Sequence, residues 1–246
     1  MSIYEDLQPG DFSASTKKRL PICFCLDTSG SMFAPTTEGR TRMDEVNKAF
    51  GTFIEKIKAN PDINASTDIA IITFGGKTEM VQKFIPISKM ETPVIKAKAR
   101  SLTPIGEAIL KAVELLELRK DACKERGKKY YQPWLVVITD GEPEGANAVE
   151  DMENAIEKTT TLEAENKLVV FNIGIGTDVN LEVLKRLSRK RKEPINVQMD
   201  NLDSFFDLLG ASSESVISGD ADDNILYGGS DSIEKGTEFD ISEWCI

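Results

Sequence analysis

One apolar stretch constrains the fold of this chain more than any other feature. Residues 20–27 read Leu-Pro-Ile-Cys-Phe-Cys-Leu-Asp and are followed at once by Thr-Ser-Gly-Ser. A short continuous apolar run ending in turn residues predicts a strand buried on both faces, as at the centre of a parallel sheet. Open α/β folds bind ligands at the carboxyl ends of such strands. We therefore expect oxygens of Asp27, Ser29 and Ser31 to converge on one tight loop, in which Gly30 permits a sharp turn.

The rest of the chain alternates between strand and helix patterns. Apolar residues spaced three or four apart predict a helix from Met43 that stops at Asn60-Pro61. Two apolar stretches, 68–74 and 80–85, flank a glycine turn and predict a hairpin, which supplies an antiparallel edge strand. The other predicted elements are strands at 134–139, 168–173 and 195–198 and helices at 105–116, 148–164, 180–188 and 202–216.

This alternation predicts an α/β fold that is doubly wound, with a mostly parallel central sheet, one antiparallel edge strand and helices on both faces. We expect an N-terminal arm at 1–17, one domain at 18–217 and an acidic C-terminal tail at 218–246, either disordered or docked. A Gly-x-Gly pair at 174–176 lacks the third glycine of a dinucleotide site and follows a late strand, so nucleotide binding is not expected.

The net charge of −11 is concentrated near the C-terminus. Residues 214–246 hold nine acidic residues and one lysine, a net of −8. The last nine residues, 238–246, alternate acidic and apolar side chains. We hypothesise that they dock on basic clusters at 119–129 or 185–192, of the same or a neighbouring domain, which would allow self-association. The second cluster is interpreted as a solvated helix end, so nucleic acid is not an expected partner.

Composition excludes several classes of site. The chain has no histidine, which excludes imidazole zinc sites and histidine-based nucleophile activation. Cys23 and Cys25 alternate onto one face of a buried strand and are predicted to be free thiols. No stretch approaches the roughly 20 apolar residues of a membrane helix, and the first twenty residues lack the apolar core of a signal peptide. A cytoplasmic protein without a membrane partner is expected.

The order of three segments resembles the metal-ion-dependent adhesion site of von Willebrand factor A domains. Asp27-x-Ser29-x-Ser31 is similar to the family's first metal loop. Thr103, in Ser-Leu-Thr-Pro-Ile-Gly, is similar to its second, and Asp140, which closes the strand at 134–139, to its third. The resemblance covers about residues 18–217.

The resemblance implies a metal site of Asp27, Ser29, Ser31, Thr103 and Asp140, with the two aspartates acting largely through bound water. Without histidine, an ion held by oxygens should be Mg²⁺, or Mn²⁺ or Ca²⁺. Few direct carboxylate ligands would leave the ion electrophilic, so that a Glu or Asp of a partner protein completes its coordination. Within the family, the chain resembles bacterial cytosolic proteins of tellurium-resistance and stress operons, which implies an adaptor rather than an enzyme.

Other kinds of site share parts of these residue patterns. Asp27 and Ser29 could merely cap a helix or stabilise a turn. Asp-Thr-Ser-Gly resembles the loops of aspartic proteases, but the α/β alternation excludes that all-β fold, and Ser29 stands where a haloacid-type phosphatase needs a second aspartate. A Mg²⁺- or Mn²⁺-dependent hydrolase or phosphatase using metal-bound water stays as the alternative, with Glu107, Glu142 or Glu144 as its general base.

Overall fold

A single six-stranded sheet forms the centre of the protein. The computed structural model describes residues 16–36, 39–98, 100–176, 179–191, 194–198 and 201–219. The strands are β1 (Leu20–Asp27), β2 (Thr67–Gly75), β3 (Lys77–Pro86), β4 (Trp134–Thr139), β5 (Val169–Ile175) and β6 (Ile195–Val197). The α-helices are α1 (Arg42–Ala59), α2 (Pro61–Ser66), α3 (Ile105–Glu125), α4 (Ala148–Ala164), α5 (Leu181–Lys185) and α6 (Leu202–Ser218).

The strand order is β3-β2-β1-β4-β5-β6, and every pairing is parallel except that of β2 with β3. The doubly wound fold with one antiparallel edge strand is therefore confirmed. The strand order reverses its direction at β1, which lies between β2 and β4. In such sheets the loops at this switch point leave a crevice at the carboxyl edge, where ligands bind.

Each face of the sheet buries an apolar layer under helices. Alternate β1 residues, among them Phe24, face α1 and α6, and Phe24 lies 5.0 Å from the ring centroid of Phe50 and 6.4 Å from that of Phe206. The intervening Cys23 and Cys25 face α3 and α4 on the other side. Both thiols are buried and free, as predicted from the alternation. All eight residues of β1 are buried, so covering both faces accounts for its unbroken apolar sequence.

Several element boundaries differ from the prediction. Asn60-Pro61 does end α1, but the chain continues directly into α2, because the Asn60 side chain accepts from the amides of Asp62 and Ile63 and proline is favourable in a first helical turn. The strand predicted at 80–85 extends over 77–86, and the helix predicted at 180–188 is limited to 181–185. Residues 1–15 and 220–246, with most of the predicted arm and tail, lie outside the described residues. None of the helices in the described ranges has the length and the apolar composition of a membrane span.

Candidate metal centre at the carboxyl edge of the sheet

Three separate segments bring the five predicted site residues to one place. Asp27 is the last residue of β1, and Ser29 and Ser31 lie in the loop that follows, where residues 30–33 form a 3₁₀ turn. Thr103 lies two residues before α3, and Asp140 directly follows β4. All of them except Ser31 are buried. The switch point between β1 and β4 thus positions the two carboxylates, as the sequence predicted.

Direct contacts link these side chains. The Ser29 and Ser31 hydroxyls lie 2.9 Å apart, and the Ser31 hydroxyl donates to Asp140 Oδ1 at 2.6 Å. The Thr103 hydroxyl lies near the same side chains, across a small space beside Gly141. A Cβ placed on Gly141 would lie 3.7 Å from Thr103 Oγ1, 3.8 Å from Ser31 Oγ and 3.9 Å from Asp27 Oδ2. Oxygens from all three segments therefore surround a single point, where a glycine leaves room.

Asp27 is held rigidly in a buried position. Its Oδ1 accepts from the Ser29 amide at 2.7 Å, and its Oδ2 accepts from the Thr139 hydroxyl. Burial is the largest influence on this carboxyl group, and it raises the pKa of Asp27 to about 6. The hydrogen bonds from Ser29 and Thr139 oppose that shift, and the nearby charge of Asp140 adds to it. The carboxylate therefore lies in a site that favours a compensating positive charge.

Thr139 is a part of the site that the sequence interpretation missed. It is fully buried, and its Oγ1 accepts from the Gly141 amide at 3.2 Å while its hydroxyl donates to Asp27. The β1–β4 register pairs Leu26 with Ile138, so the next residues, Asp27 and Thr139, are neighbours across the two strands. The signal that could have identified Thr139 is its place as the last residue of the apolar stretch at 134–139, as Asp27 is the last residue of the stretch at 20–27.

Arg42, the first residue of α1, is the second missed residue. Thr41 and Asp44 form a capping box that begins the helix there. Arg42 Nη1 donates to Asp140 Oδ2 at 2.7 Å, and the Asp140 side chain is fully buried. A Cβ on Gly176, at the end of β5, would lie 3.6 Å from the guanidinium, so the Gly176 backbone packs closely against it. Because the pair is 98 residues apart in sequence, local patterns gave no signal for it.

Backbone hydrogen bonds join the three loops into one unit. The Lys98 amide donates to the Thr28 carbonyl at 2.7 Å, which ties the segment before Thr103 to the first loop. The Glu144 amide donates to the Thr103 carbonyl at 2.9 Å, which ties the second loop to the third. Gly30 allows a close approach, since a Cβ there would lie 3.0 Å from the Arg100 amide nitrogen. The oxygens are thus positioned by the scaffold rather than by one flexible loop.

The donor set suits a hard cation. It consists of three hydroxyls and two carboxylates, the oxygen ligands that Mg²⁺, Mn²⁺ and Ca²⁺ prefer. Within the described ranges, no group of three or more His, Cys, Asp or Glu side chains is arranged to hold a metal. Any ion at this edge would therefore depend on the hydroxyls of Ser29, Ser31 and Thr103. Arg42 offsets the charge of Asp140, so the combined charge of the five site residues and Arg42 is close to that of Asp27 alone.

Three glutamates near this edge are the predicted general bases of the hydrolase alternative. Glu107, Glu142 and Glu144 are all exposed. Glu142 accepts from the Asn180 side-chain amide at 3.1 Å, and Glu144 contributes its backbone amide to the loop contacts.

The fold and the site define the class: a doubly wound α/β domain with an oxygen-lined centre at the carboxyl edge of its sheet. The family profile of the von Willebrand factor type A domain matches residues 22–210. The chain belongs to this family, whose fold is often used in metal-dependent protein interactions. The match lies inside the predicted domain limits of 18–217, which remain a prediction. Comparison with curated proteins gave no match.

Solved structures share the fold at low sequence identity. A von Willebrand factor type A protein from Catenulispora acidiphila is 17% identical with a TM-score of 0.58, over 80% of this chain and 43% of that chain. The conserved hypothetical protein BatB from Bacteroides thetaiotaomicron is 18% identical with a TM-score of 0.52, over 81% and 99%. The pilus adhesin SpaC from Lactobacillus rhamnosus GG is 11% identical with a TM-score of 0.60, over 81% and 31%. The chain spans less than half the length of the C. acidiphila protein, and these similarities concern the fold alone.

Proposed function

We propose that this protein is a metal-dependent protein-binding module that acts as an adaptor. The observation that carries the proposal is the convergence of Asp27, Ser31 and Thr103 oxygens around Gly141, with Asp140 joined to Ser31. Asp27, Ser29, Ser31, Thr103 and Asp140 would hold a divalent cation, Mg²⁺ first and Mn²⁺ or Ca²⁺ as alternatives. The bound ion would supply a Lewis-acidic position for an oxygen ligand from outside the chain.

Charge determines which external ligand such a centre favours. The site residues contribute two carboxylates, and Arg42 is paired with one of them. With a divalent cation bound, the centre would carry net positive charge in surroundings that are largely buried. A carboxylate of a partner's Glu or Asp would neutralise that charge. Recognition would then require the cation, the partner carboxylate and a fitting surface together.

Exposed apolar side chains on the same loops support a binding surface. Phe33 follows the first metal loop and is 54% exposed, and Leu102 directly precedes Thr103 and is 52% exposed. Val149, in the first turn of α4, is 80% exposed. Exposed aromatic and aliphatic side chains around a polar centre are typical of protein-binding sites. We therefore propose that the partner places a carboxylate at the ion and apolar side chains against Phe33 and Leu102.

Metal-dependent affinity capture from a lysate of the source cells tests the proposal. The partner should bind in excess Mg²⁺ and be lost both in excess chelator and with Asp27→Ala. Phe33→Ser/Leu102→Ser should also lose the partner while retaining metal binding. Val81, 44% exposed on edge strand β3, provides the matched control, and Val81→Ser should keep the partner. Capture that is unchanged in excess chelator would overturn the adaptor mechanism.

We also propose a cytoplasmic setting, in a bacterial stress or tellurium-resistance system, without catalytic turnover. The support is the resemblance of two segments, 68–75 and 172–176, to that group of A-domain proteins. A Mg²⁺- or Mn²⁺-dependent turnover of generic phosphoesters that is lost in Asp27→Ala would instead favour the hydrolase alternative.

A further inference from the structure

A cleft lies at the edge of the sheet opposite the candidate metal centre. It has a volume of about 340 Å³ and opens beside the amino ends of β1 and β4. We call it the basal cleft; its lining includes Lys17, Lys18, Asn60, Ile63, Tyr131 and Ile217. The cleft therefore combines two lysines and two acidic residues, Asp62 and Glu214, with the apolar side chains of Ile63, Tyr131 and Ile217. A volume of this size can accept a few side chains of a peptide segment.

The chain leaves its last helix at this cleft. The Tyr131 hydroxyl donates to the Ile217 carbonyl at 3.2 Å, which fixes the end of α6 against the amino edge of the sheet. Ser218 forms part of the cleft wall. Gly219 then ends the helix in a left-handed conformation with φ of +82°, which turns the chain away from the helix axis. The residues that follow therefore start beside the cleft.

Cationic side chains are concentrated around this exit. The exposed Lys18 lies with its ammonium 4.0 Å from the centroid of the Tyr131 ring. Lys129, also exposed, is brought beside it because the Arg19 amide donates to the Lys129 carbonyl at 2.9 Å. Of the acidic residues in the lining, Asp62 pairs with Lys17, and Glu214 accepts from the Asn60 side chain. An acidic segment would thus meet Lys18 and Lys129 on leaving α6.

The next eight residues of the chain match this surface. Residues 220–227 read Asp-Ala-Asp-Asp-Asn-Ile-Leu-Tyr, three carboxylates followed by three large apolar residues. At about 3.3 Å per extended residue, residue 223 can lie up to roughly 17 Å from Ser218, and residue 227 up to roughly 30 Å. The segment therefore reaches every part of the cleft. Its covalent attachment gives an effective concentration on the order of millimolar, so weak contacts suffice.

We propose that residues 220–227 fold back onto the basal cleft of the same molecule. Asp220, Asp222 and Asp223 lie against Lys18 and Lys129, and the three apolar side chains enter the cleft beside Ile63, Ile217 and Tyr131. In this position residues 220–227 lie at the edge of the sheet opposite the candidate metal centre, so the metal centre stays open to a partner. This proposal also differs from the docking of residues 238–246 expected from sequence, because it places the segment that directly follows α6 in the cleft.

Hydrogen–deuterium exchange on the full chain tests this proposal. Corrected for intrinsic rates, amides of 220–227 should exchange at least about tenfold more slowly than those of 228–237, which follow directly in the chain and provide an internal control. The protection should decrease in about 0.5 M salt, because salt screens the attraction between the aspartates of the segment and the exposed Lys18 and Lys129. It should not change with protein concentration. Equal exchange of the two segments would overturn the proposal, and protection that appears only at high concentration would assign the cleft to a second copy.

Charge-reversal variants test whether the basal cleft is the surface that binds residues 220–227. Lys18→Glu/Lys129→Glu should remove the protection of 220–227, and adding Asp222→Lys/Asp223→Lys should restore it. Lys158→Glu, at an exposed position on α4 on the other face of the sheet, is the matched control and should leave protection unchanged. If reversals within the cluster at 185–192 remove protection and the Lys18/Lys129 pair does not, the basal cleft is the wrong surface. Metal binding should be unaffected in every variant, which separates this test from that of the proposed function.

Discussion

Replacing Arg42 with glutamine changes the charge at the candidate metal centre without altering any of the five proposed ligand residues. Arg42 Nη1 lies 2.7 Å from Asp140 Oδ2, so in the metal-free protein the guanidinium supplies the positive charge that this buried carboxylate requires. A divalent cation drawn to Asp140 must share the carboxylate with Arg42. We therefore predict that Arg42→Gln binds Mg²⁺ and Mn²⁺ more tightly than the wild type.

The size of the effect follows from the separation of the charges. For unit charges 2.7 Å apart, Coulomb's law gives about 1.5 kcal/mol at the dielectric constant of water and about 6 kcal/mol at an effective value of 20. The Asp140 side chain is fully buried and the Arg42 side chain is 19% exposed, so solvent screens the pair only in part and the value for water is a lower bound. A difference of about 1.5 kcal/mol corresponds to roughly a tenfold gain in affinity.

Calorimetric titration of metal into the full chain measures this change directly. Arg40→Gln is the matched control, because Arg40 is two residues away and pairs instead with Glu45 at 2.6 Å. It should leave the metal affinity within about twofold of wild type. The same variants melted in chelator should show Arg42→Gln less stable, because Asp140 loses its cationic partner. Metal affinity that falls tenfold in Arg42→Gln would refute competition and show that Arg42 orients Asp140 for the ion.

Three further predictions concern the site and its scaffold. Gly141→Ala places a methyl group within 3.9 Å of three proposed ligand oxygens, at ordinary contact distances, so the melting temperature should change little while calorimetry shows metal affinity falling at least about tenfold. Because the pKa of Asp27 is raised, the folded state in chelator keeps a proton between about pH 4 and 6 that the unfolded state has lost. Denaturant titrations should therefore show the stability of the wild type falling relative to that of Asp27→Asn by up to about 3 kcal/mol from pH 4 to 7. Parallel stability profiles of the two proteins would contradict this. Gly106→Ala places a Cβ 2.4 Å from the Asp151 backbone and should destabilise the α3–α4 packing by about 1–3 kcal/mol in thermal melts, whereas Gly51→Ala, with open space around the Cβ, should not destabilise.

The sheet was predictable because its central strands are buried on both faces. Such strands have continuous apolar sequences, and β1 and β4 both end in an aspartate or just before one. The helix α2 was missed for a local reason, since proline marks both the end of one helix and the first turn of the next. Asn60 closes α1 and caps α2, and the sequence pattern did not separate those two roles.

The site was predictable to the extent that its residues follow strand ends. Asp27 and Asp140 were placed by the rule that parallel strands share a carboxyl edge, whereas Thr103 depended on resemblance to the family. Arg42 and Thr139 were missed because their roles arise from contacts 98 and 112 residues apart, which exist only once the sheet is assembled. Charge balance at the centre therefore could not be deduced from the metal loops alone.

Metal titration of the wild type against hydroxyl-deleted variants tests the account most directly. Isothermal calorimetry with Mg²⁺ and Mn²⁺ should show one site with a dissociation constant of about 1 mM or tighter in the wild type. Ser29→Ala/Ser31→Ala and Asp27→Ala should abolish the binding heat while circular dichroism shows the fold retained. Equal binding heats in the wild type and both variants, or none in any of them, would contradict a cation held by these oxygens.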